Sequence, residues 1–438
     1  MELVIGVIGI LIFLVLLAIG VHIALALLGV GFIGFAVLSS FSQSLNFVSR
    51  AIYEQGSNYS FAVIPLFMLM GYFANSSGIV ENAFNLTSAW LSNIKGGLYW
   101  ITVATSTLFA AATGSGAAAT ISIGKIIYPQ MVKEGYNKEL SLACLAAAGT
   151  IGVLIPPSIP LVLYGTITQE NIGSLLLAGV IPGLLEAGIY SLGLILLMKV
   201  KPSMLINQEL AKRRTYTLKE RLKTLPGAWG IVLILAIIIG GIYSGLFTPN
   251  EAGGIGAFVT FILLIMKNKK KSFAIIKNDV WEAASVTGMV FFIVIGSIVF
   301  SNFLTFSGIF DFVQLIHGFP PLVALIIFIV VFFIAGMFMD AMAALLIIAP
   351  LAYSILSPHY NGIWLGLIMV KMFEIGGITP PVGFSMFVAK SLDKDLPMEK
   401  LYSGTMVFWI MDLITLVIMI IFPQLVTWLP NLARLKGK

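Results

Sequence analysis

Charge is scarce in this chain. Only 10% of its 438 residues are Asp, Glu, Lys or Arg, where a soluble domain carries about 25%. That shortage excludes a cytosolic enzyme. Cysteine is rarer still: Cys144 stands alone in an apolar segment, which excludes an intrachain disulfide and a cysteine metal cluster and marks it as a packing residue. The three histidines, His22, His317 and His359, lie far apart without ligand spacing, so they offer no metal site. No Gly-x-x-x-x-Gly-Lys-Ser/Thr run occurs, which removes a nucleotide-driven pump. Long polar tracts are missing too, and with them disorder.

What the chain has is apolar surface. Hydrophobic residues make up 59% of it and the mean hydropathy is +1.03, and apolar runs recur at the length of a bilayer crossing. The pattern is that of an all-α polytopic membrane protein. Continuous spans are expected at 2–19, 22–39, 60–78, 174–198, 226–246, 253–267, 285–303 and 402–428. The first lacks a basic leader region and runs on past Ala26, so it reads as a span and not as a signal peptide. Segments 80–94 and 273–284 are amphipathic and are expected to lie as separate arms in the interface plane. Four further apolar stretches, 97–128, 139–168, 321–357 and 361–391, are broken near the middle by Gly, Pro or polar residues.

The broken stretches recur in matching order. Phe73-Ala-Asn-Ser-Ser-Gly-Ile79 answers Phe303-Leu-Thr-Phe-Ser-Gly-Ile309. A small-residue break follows, Thr113-Gly-Ser-Gly116 in one half and Gly336-Met-Phe-Met-Asp340 in the other, and the next apolar stretch is expected to end at Tyr128-Pro129 or Ala349-Pro350. A glycine-led double proline closes each series, Gly149 to Pro157 and Gly376 to Pro381; Gly114 and Pro156 are 42 positions apart, Gly336 and Pro380 are 44. Four landmarks at conserved spacing within one chain make an internal repeat. The expected divisions are N-terminal scaffold helices 1–59, repeat one 60–200, a basic linker with scaffold helices 201–284, repeat two 285–428 and a tail 429–438.

Basic residues orient the repeats. The net charge of +6 is concentrated in Lys199–Lys223 and Lys267–Lys277, as cytoplasmic loops require, which removes the need for a nucleic-acid partner. Counting spans from these loops puts 129–139 and 390–400 inside and 169–173 and 357–361 outside. Equivalent loops therefore lie on opposite sides, and the repeat is inverted. Both termini fall outside, which suits the uncharged start and conflicts with Arg434, Lys436 and Lys438.

A backbone break at membrane depth strands N–H and C=O groups unless protein, water, ion or substrate replaces their partners. In transporters, half-helix N-termini face anions and unwound carbonyls hold sodium. Two re-entrant hairpins and two broken helices provide two such places. The single-instance alternative is that each Gly or Pro only kinks a packed helix; the pairing of all four argues against it.

These residues resemble a known family. Pro129-Gln-Met-Val-Lys-Glu-Gly-Tyr136, Ala146 to Ser158, Tyr164-Gly165, Ala178-Gly-Val-Ile-Pro-Gly183, Gly336-Met-Phe-Met-Asp340 and Ile378-Thr-Pro-Pro-Val-Gly383 look like motifs of the large membrane subunit of tripartite ATP-independent periplasmic (TRAP) transporters. The resemblance covers essentially the whole chain. It implies a sodium-coupled, elevator-type importer of organic-acid anions, of the dicarboxylate or sialic-acid kind, in the bacterial inner membrane. It also implies a small four-helix membrane subunit and a periplasmic substrate-binding protein as partners, lipid around the subunit, and no cofactor besides sodium ions.

Carried over by position, the first sodium site lies among Gly114, Ser115, Gly149, Gly152, Ile155 and Pro157, and the second among Gly336, Gly376, Thr379 and Val382. Backbone carbonyls suit a hard cation, and Thr113, Ser115 and Thr379 add hydroxyls. Ser301, Asn302, Asp340 and Thr113, with Ser115 and Thr379, are the candidates for a carboxylate substrate. Asp340 is equally a helix cap. Lys371 and Glu374 stand one turn apart, the spacing of an ion pair, and Glu186 and Asp412 occupy matching late spans without an assigned role. Lys125 is expected to snorkel to the cytoplasmic edge. The competing transport reading is a stand-alone ion-coupled carboxylate symporter or cation antiporter of related two-hairpin fold. A serine hydrolase built on Gly114-Ser115-Gly116 lacks a base, since His317 and His359 both map to outer loops.

Overall fold

The computed structural model describes residues 2–94, 96–114, 116–200, 202, 216–309, 318–338 and 341–436. Ser115, Asp340 and His317 lie outside the described residues, as does the Thr113 side chain. Every regular element among the described residues is helical. The N-terminal group is α1 (Glu2–Ala18), α2 (Ile23–Leu38) and the amphipathic α3 (Phe41–Ser57). Repeat one supplies α4 (Val63–Ser76), α5 (Ile79–Leu91), α6 (Gly97–Thr113), α7 (Gly116–Lys133), α8 (Lys138–Leu154), α9 (Ile159–Thr168) and α10 (Ile172–Val200). Next come α11 (Leu218–Tyr243), α12 (Pro249–Asn268) and α13 (Ser272–Phe306). The remainder is α14 (Pro321–Phe338), α15 (Ala341–Leu356), α16 (Gly362–Gly377), α17 (Phe384–Lys390), α18 (Met398–Ile421) and α19 (Gln424–Lys436). Six described helical stretches are long and apolar enough to cross a bilayer, and the bent pair α8–α9 makes a seventh.

The repeated sequence landmarks fold as repeated local structures. In Phe73–Ile79, the Ser77 hydroxyl donates to the Ala74 carbonyl at 2.7 Å and Gly78 turns left-handed at φ 81°. In Phe303–Ile309, the Ser307 hydroxyl donates to the Leu304 carbonyl at 2.8 Å and Gly308 turns at φ 74°. A serine that back-bonds and a glycine that accepts positive φ end α4 and α13 the same way. Asparagine opens both broken helices: Asn137 Oδ1 accepts the Leu140 amide and Asn361 Oδ1 accepts the Ile363 and Trp364 amides. Each follows a tyrosine, Tyr136 or Tyr360, a repeated pair the spacing analysis passed over.

The two halves meet around α8 and α16, which are buried along nearly their whole lengths. Helices apolar on every side belong at such a centre. Alanine and glycine at 146–149 let neighbours approach α8 closely, and α6, α7 and α18 pack there, while α14 and α15 pack on α16.

Three expectations are corrected. Segment 273–284 is not a separate arm: α13 runs unbroken from Ser272 for 35 residues, about 52 Å at helical rise, because no Gly or Pro interrupts it before the span. The 402–428 span is two helices, since Pro423 cannot donate to the ladder of α18, which ends at Ile421. Pro129 and Pro350 do not terminate their stretches but lie inside α7 and α15; within a packed membrane bundle the freed carbonyls are satisfied by other means.

Candidate functional site

The first break begins where α8 stops. Pro156 has no N–H, so the Gly152 carbonyl loses its helical donor. The Val153 carbonyl, freed in turn by Pro157, takes the Ser158 hydroxyl, and Ser158 also caps α9 through the Leu161 amide. Ile155 is extended at φ −75°, ψ 130°. The tip of the α6–α7 hairpin is seated on this break. Gly114 sits at φ 62°, and a side chain there would overlap the Pro157 carbonyl oxygen; only glycine provides both the conformation and the space. One turn further on, a methyl at Gly149 would collide with Thr120, whose hydroxyl donates to the Gly116 carbonyl at 2.9 Å.

The second break repeats the arrangement with different partners. Gly336 at the end of α14 faces Gly376 so closely that a methyl on Gly376 would lie 2.6 Å from the Gly336 carbonyl carbon. The Gly383 amide donates to the Met337 carbonyl at 3.2 Å, tying hairpin and break together. The Gly376 carbonyl takes the Thr379 amide at 3.0 Å, and the Thr379 hydroxyl donates to the Ile375 carbonyl. Pro156–Pro157 and Pro380–Pro381 are both cis.

The structure thus brings Gly114, Gly149 and Pro157 to one place, with Gly152 and Ile155 on the same last turn of α8, and it brings Gly336, Gly376 and Thr379 to another. Val382 lies beside the second, but its carbonyl and that of Pro381 already accept the Tyr402 hydroxyl at 2.8 and 2.7 Å. Ser301 and Asn302 are on neither break. They belong to α13, which packs on hairpin arm α15; the Asn302 amide nitrogen is buried without a hydrogen bond. Lys125 is exposed, next to Gly124, which packs against Leu392.

Two contacts between the halves were not legible. At the end of hairpin arm α7, the Tyr128 hydroxyl donates to Asp393 at 2.6 Å and Lys138 pairs with the same carboxylate at 3.2 Å. At the end of α15, the Tyr353 hydroxyl donates to Glu170 at 2.7 Å. Each hairpin is therefore clasped to the loop after the other repeat's broken helix. The first clasp joins loops 129–139 and 390–400, both expected inside; the second joins loop 169–173 to the region of Gly362, just after loop 357–361, and both those loops are expected outside. The Tyr128 hydrogen bond, followed by Lys138, holds the Asp393 carboxyl below the usual aspartate range against the opposing effect of partial burial.

Lys371 finds the expected Glu374 at 3.1 Å, together with Glu186 at 2.7 Å and Asp412 at 2.9 Å. Sequence spacing exposes only the first of these. The other two arrive on α10 and α18, and the Tyr190 hydroxyl donates to Asp412 at 2.6 Å.

A family model described as tripartite ATP-independent periplasmic transporter, DctM component, matches residues 10–425. The chain is 33% identical over 394 residues to the C4-dicarboxylate TRAP transporter large permease protein DctM of Pseudomonas aeruginosa, covering 89% of this chain and 90% of that protein. It is 29% identical over 411 residues to the sialic acid TRAP transporter large permease protein SiaM of Vibrio cholerae, covering 91% and 92%. The solved Alcanivorax borkumensis YdaH transporter shares the fold, with a TM-score of 0.56 at 14% identity over 88% of this chain and 90% of that one.

Proposed function

The chain belongs to the DctM family of tripartite ATP-independent periplasmic transporters, as a multi-pass inner-membrane protein, and from that premise we propose that it is the permease for a small organic-acid anion. Its relatives are named for C4-dicarboxylate and sialic acid, and a carboxylate of this kind is the substrate class we assign. We take the working unit to include a small four-helix membrane subunit and a periplasmic binding protein that delivers the solute.

The coupling ion in this reading is sodium. The observation that carries it is that each hairpin glycine rests on a proline break, Gly114 on Pro157 and Gly336 on Gly376. At such breaks, carbonyls released from helical bonding, such as that of Gly152, are hard donors for a hard cation. A bound sodium beside a half-helix N-terminus would favour the carboxylate electrostatically. The buried Asn302 amide, with no partner of its own, is a donor of the kind a carboxylate accepts. The cross-repeat clasps support elevator motion, because they tie both hairpins and both broken helices into one body that can shift as a unit.

The test is uptake into vesicles holding the membrane subunits, with the binding protein outside. Labelled dicarboxylate or sialic acid should enter only with external sodium and only with the binding protein. Equal transport driven by a proton gradient in sodium-free buffer would overturn the sodium reading. Uptake without the binding protein would point to the stand-alone symporter.

A further inference from the structure

The turn between α4 and α5 meets the turn between α12 and α13 around a polar cavity of about 530 Å³ that opens to the surface. Asn75, Gly78, Glu81, Lys267, Asn278 and Asp279 line it. Its frame is tied together: the Asn268 side-chain amide donates to the Ser76 carbonyl at 2.9 Å and to the Leu264 carbonyl at 3.1 Å, joining α12 to α4. A methyl at Gly78 would lie 2.8 Å from Glu81 Oε2 and 2.9 Å from Lys267 Nζ, so glycine leaves both of those side chains room within the cavity.

Polar groups here lack adequate partners. Asp279 is 5% exposed, and its Oδ2 is buried with no hydrogen-bond partner. None of the ion pairs among the described residues includes it. Glu282, one turn further along α13, places another carboxyl beside it. A buried acceptor left without a donor is costly, and a ligand that supplies the donor removes the cost. Lys267 meets Glu81 at 3.6 Å, with both side chains more than half exposed. Such a pair is weak, which leaves the ammonium free to turn to another anion. The cavity therefore suits a ligand with an N–H-bearing cation for Asp279 and an anion for Lys267. A metal ion does not fit, because no group of three metal-ligating side chains converges among the described residues and a lysine shares the cavity.

Depth identifies the kind of molecule that carries both charges. Helix α13 has 35 residues, about 52 Å at helical rise, against a hydrocarbon core of about 30 Å. Its apolar span is expected to begin at 285, so Asp279 stands six residues before it, about 9 Å along the axis, at the level of the lipid headgroups. Lys269, Lys270 and Lys271 belong to the basic run that is expected to face the cytoplasm. Phe273 and Trp281 on α13 are 81% and 72% exposed, as aromatic anchors at a membrane interface are. A phospholipid of the inner leaflet arrives at this level with its headgroup first in reach of the cavity.

We propose that the cavity binds one inner-leaflet phospholipid whose headgroup carries both a primary ammonium and a phosphate, a phosphoethanolamine headgroup, with the ammonium donating to Asp279 and the phosphate facing Lys267. A lysine-rich loop alone attracts anionic lipid. Asp279 reverses that preference at this one place, because an anionic headgroup brings its orphaned oxygen no cation. The site is independent of the transported solute and of the coupling ion.

Native mass spectrometry of the complete transporter, stripped of lipid and then supplied with defined lipids, reads the occupant. Offered equal phosphatidylethanolamine, phosphatidylglycerol and phosphatidylcholine, the wild type should retain one phosphatidylethanolamine about tenfold over the others, the size of one charge-assisted hydrogen bond. Phosphatidylglycerol lacks the cation and phosphatidylcholine lacks the N–H. D279N should erase that preference, bringing phosphatidylethanolamine to the level of phosphatidylglycerol. K267Q should weaken both lipids alike, by about fivefold. E399Q, outside the cavity, should change nothing. If D279N fails to fold, K267E at the exposed rim decides: it should abolish retention by repelling phosphate while the protein melts normally. Equal retention of all three lipids by the wild type, or an unchanged preference in D279N, would overturn the proposal. So would displacement of the lipid by an equal concentration of soluble phosphoethanolamine, which would make the occupant a free zwitterion. A cysteine at position 278 that reacts in the isolated chain but not in the lipid-stripped complete transporter would give this face to the small membrane subunit and overturn the proposal as well.

Discussion

Around the first break Pro156 and Pro157 are both buried; around the second Pro381 is exposed, and Phe384 and Phe387 just beyond it are 47% and 49% exposed. The sequence pattern is shared and the local backbone is shared, so the difference comes from what packs outside. Helix α10 presents Gly179 and Gly183 to the first break, with Gly179 against the Leu154 carbonyl and Gly183 against Ile155. In the equivalent place α18 presents Tyr402, which reaches the second break by hydrogen bonds without covering it. An inverted repeat turns its breaks to opposite sides, and here one break is covered and the other is open.

The largest expected effect comes from erasing the breaks themselves. Each proline opposes a continuous helix by roughly 3 kcal/mol or more, so P156A/P157A should let α8 continue into α9 and return the freed carbonyls to the ladder. Sodium-dependent uptake should fall to background while insertion, set by apolar length, is unchanged. P380A/P381A should do the same through the other break. Wild-type transport with an unaltered sodium response in either variant would reduce the breaks to ordinary kinks and end the comparison.

Next in size is the seal on the first break. A side chain at Gly179 collides with backbone, so G179A should cost about 1–3 kcal/mol through overpacking, seen as a lower melting temperature in detergent. Gly188 on the same helix has open space around it, and G188A should be neutral or slightly stabilising by helix propensity. Equal melting of the two variants would show that α10 does not seal anything.

At the open break the expected change is smaller. Y402F removes one hydroxyl shared between two carbonyls that have access to water, a loss of about 0.5–1.5 kcal/mol. Cysteine labelling at position 381 should accelerate in that background, and labelling at 155 should stay slow.

The smallest effect concerns the clasp at Asp393. Its carboxyl ionises more readily in the folded state than in the unfolded chain, so its contribution is complete above the ordinary aspartate value of about 3.9 and is lost as pH falls through the lowered folded value. For a pair whose lysine is half exposed the contribution is below about 1 kcal/mol. D393N should flatten the acid limb of a melting profile and leave the neutral region nearly unchanged.

Much of the fold was legible for local reasons. Proline lacks an N–H wherever it stands, a serine–glycine pair ends a helix whatever lies beyond it, and an apolar run of bilayer length spans. That is why the repeat, the hairpins and both double-proline breaks could be placed from residue order. The same logic failed at 273–284, where an amphipathic pattern looked like a separate arm but nothing in the chain broke the helix. It also failed at Phe422–Pro423, where a single proline was absorbed into a long apolar run.

At the candidate site the division is the same. Sequence spacing predicted Lys371 beside Glu374, because three residues are one helical turn. It could not predict Glu186 or Asp412 there, and it paired neither Tyr128 with Asp393 nor Tyr353 with Glu170. Those partners stand 41 positions apart for Lys371 and Asp412, 265 for Tyr128 and Asp393, and 183 for Tyr353 and Glu170. The sequence by itself determined where the backbone must break, because hydrogen-bonding capacity and side-chain volume belong to each residue. Only the tertiary structure decided which carboxyls share one ammonium and which break is covered, because those depend on how α10, α16 and α18 come together across the two repeats.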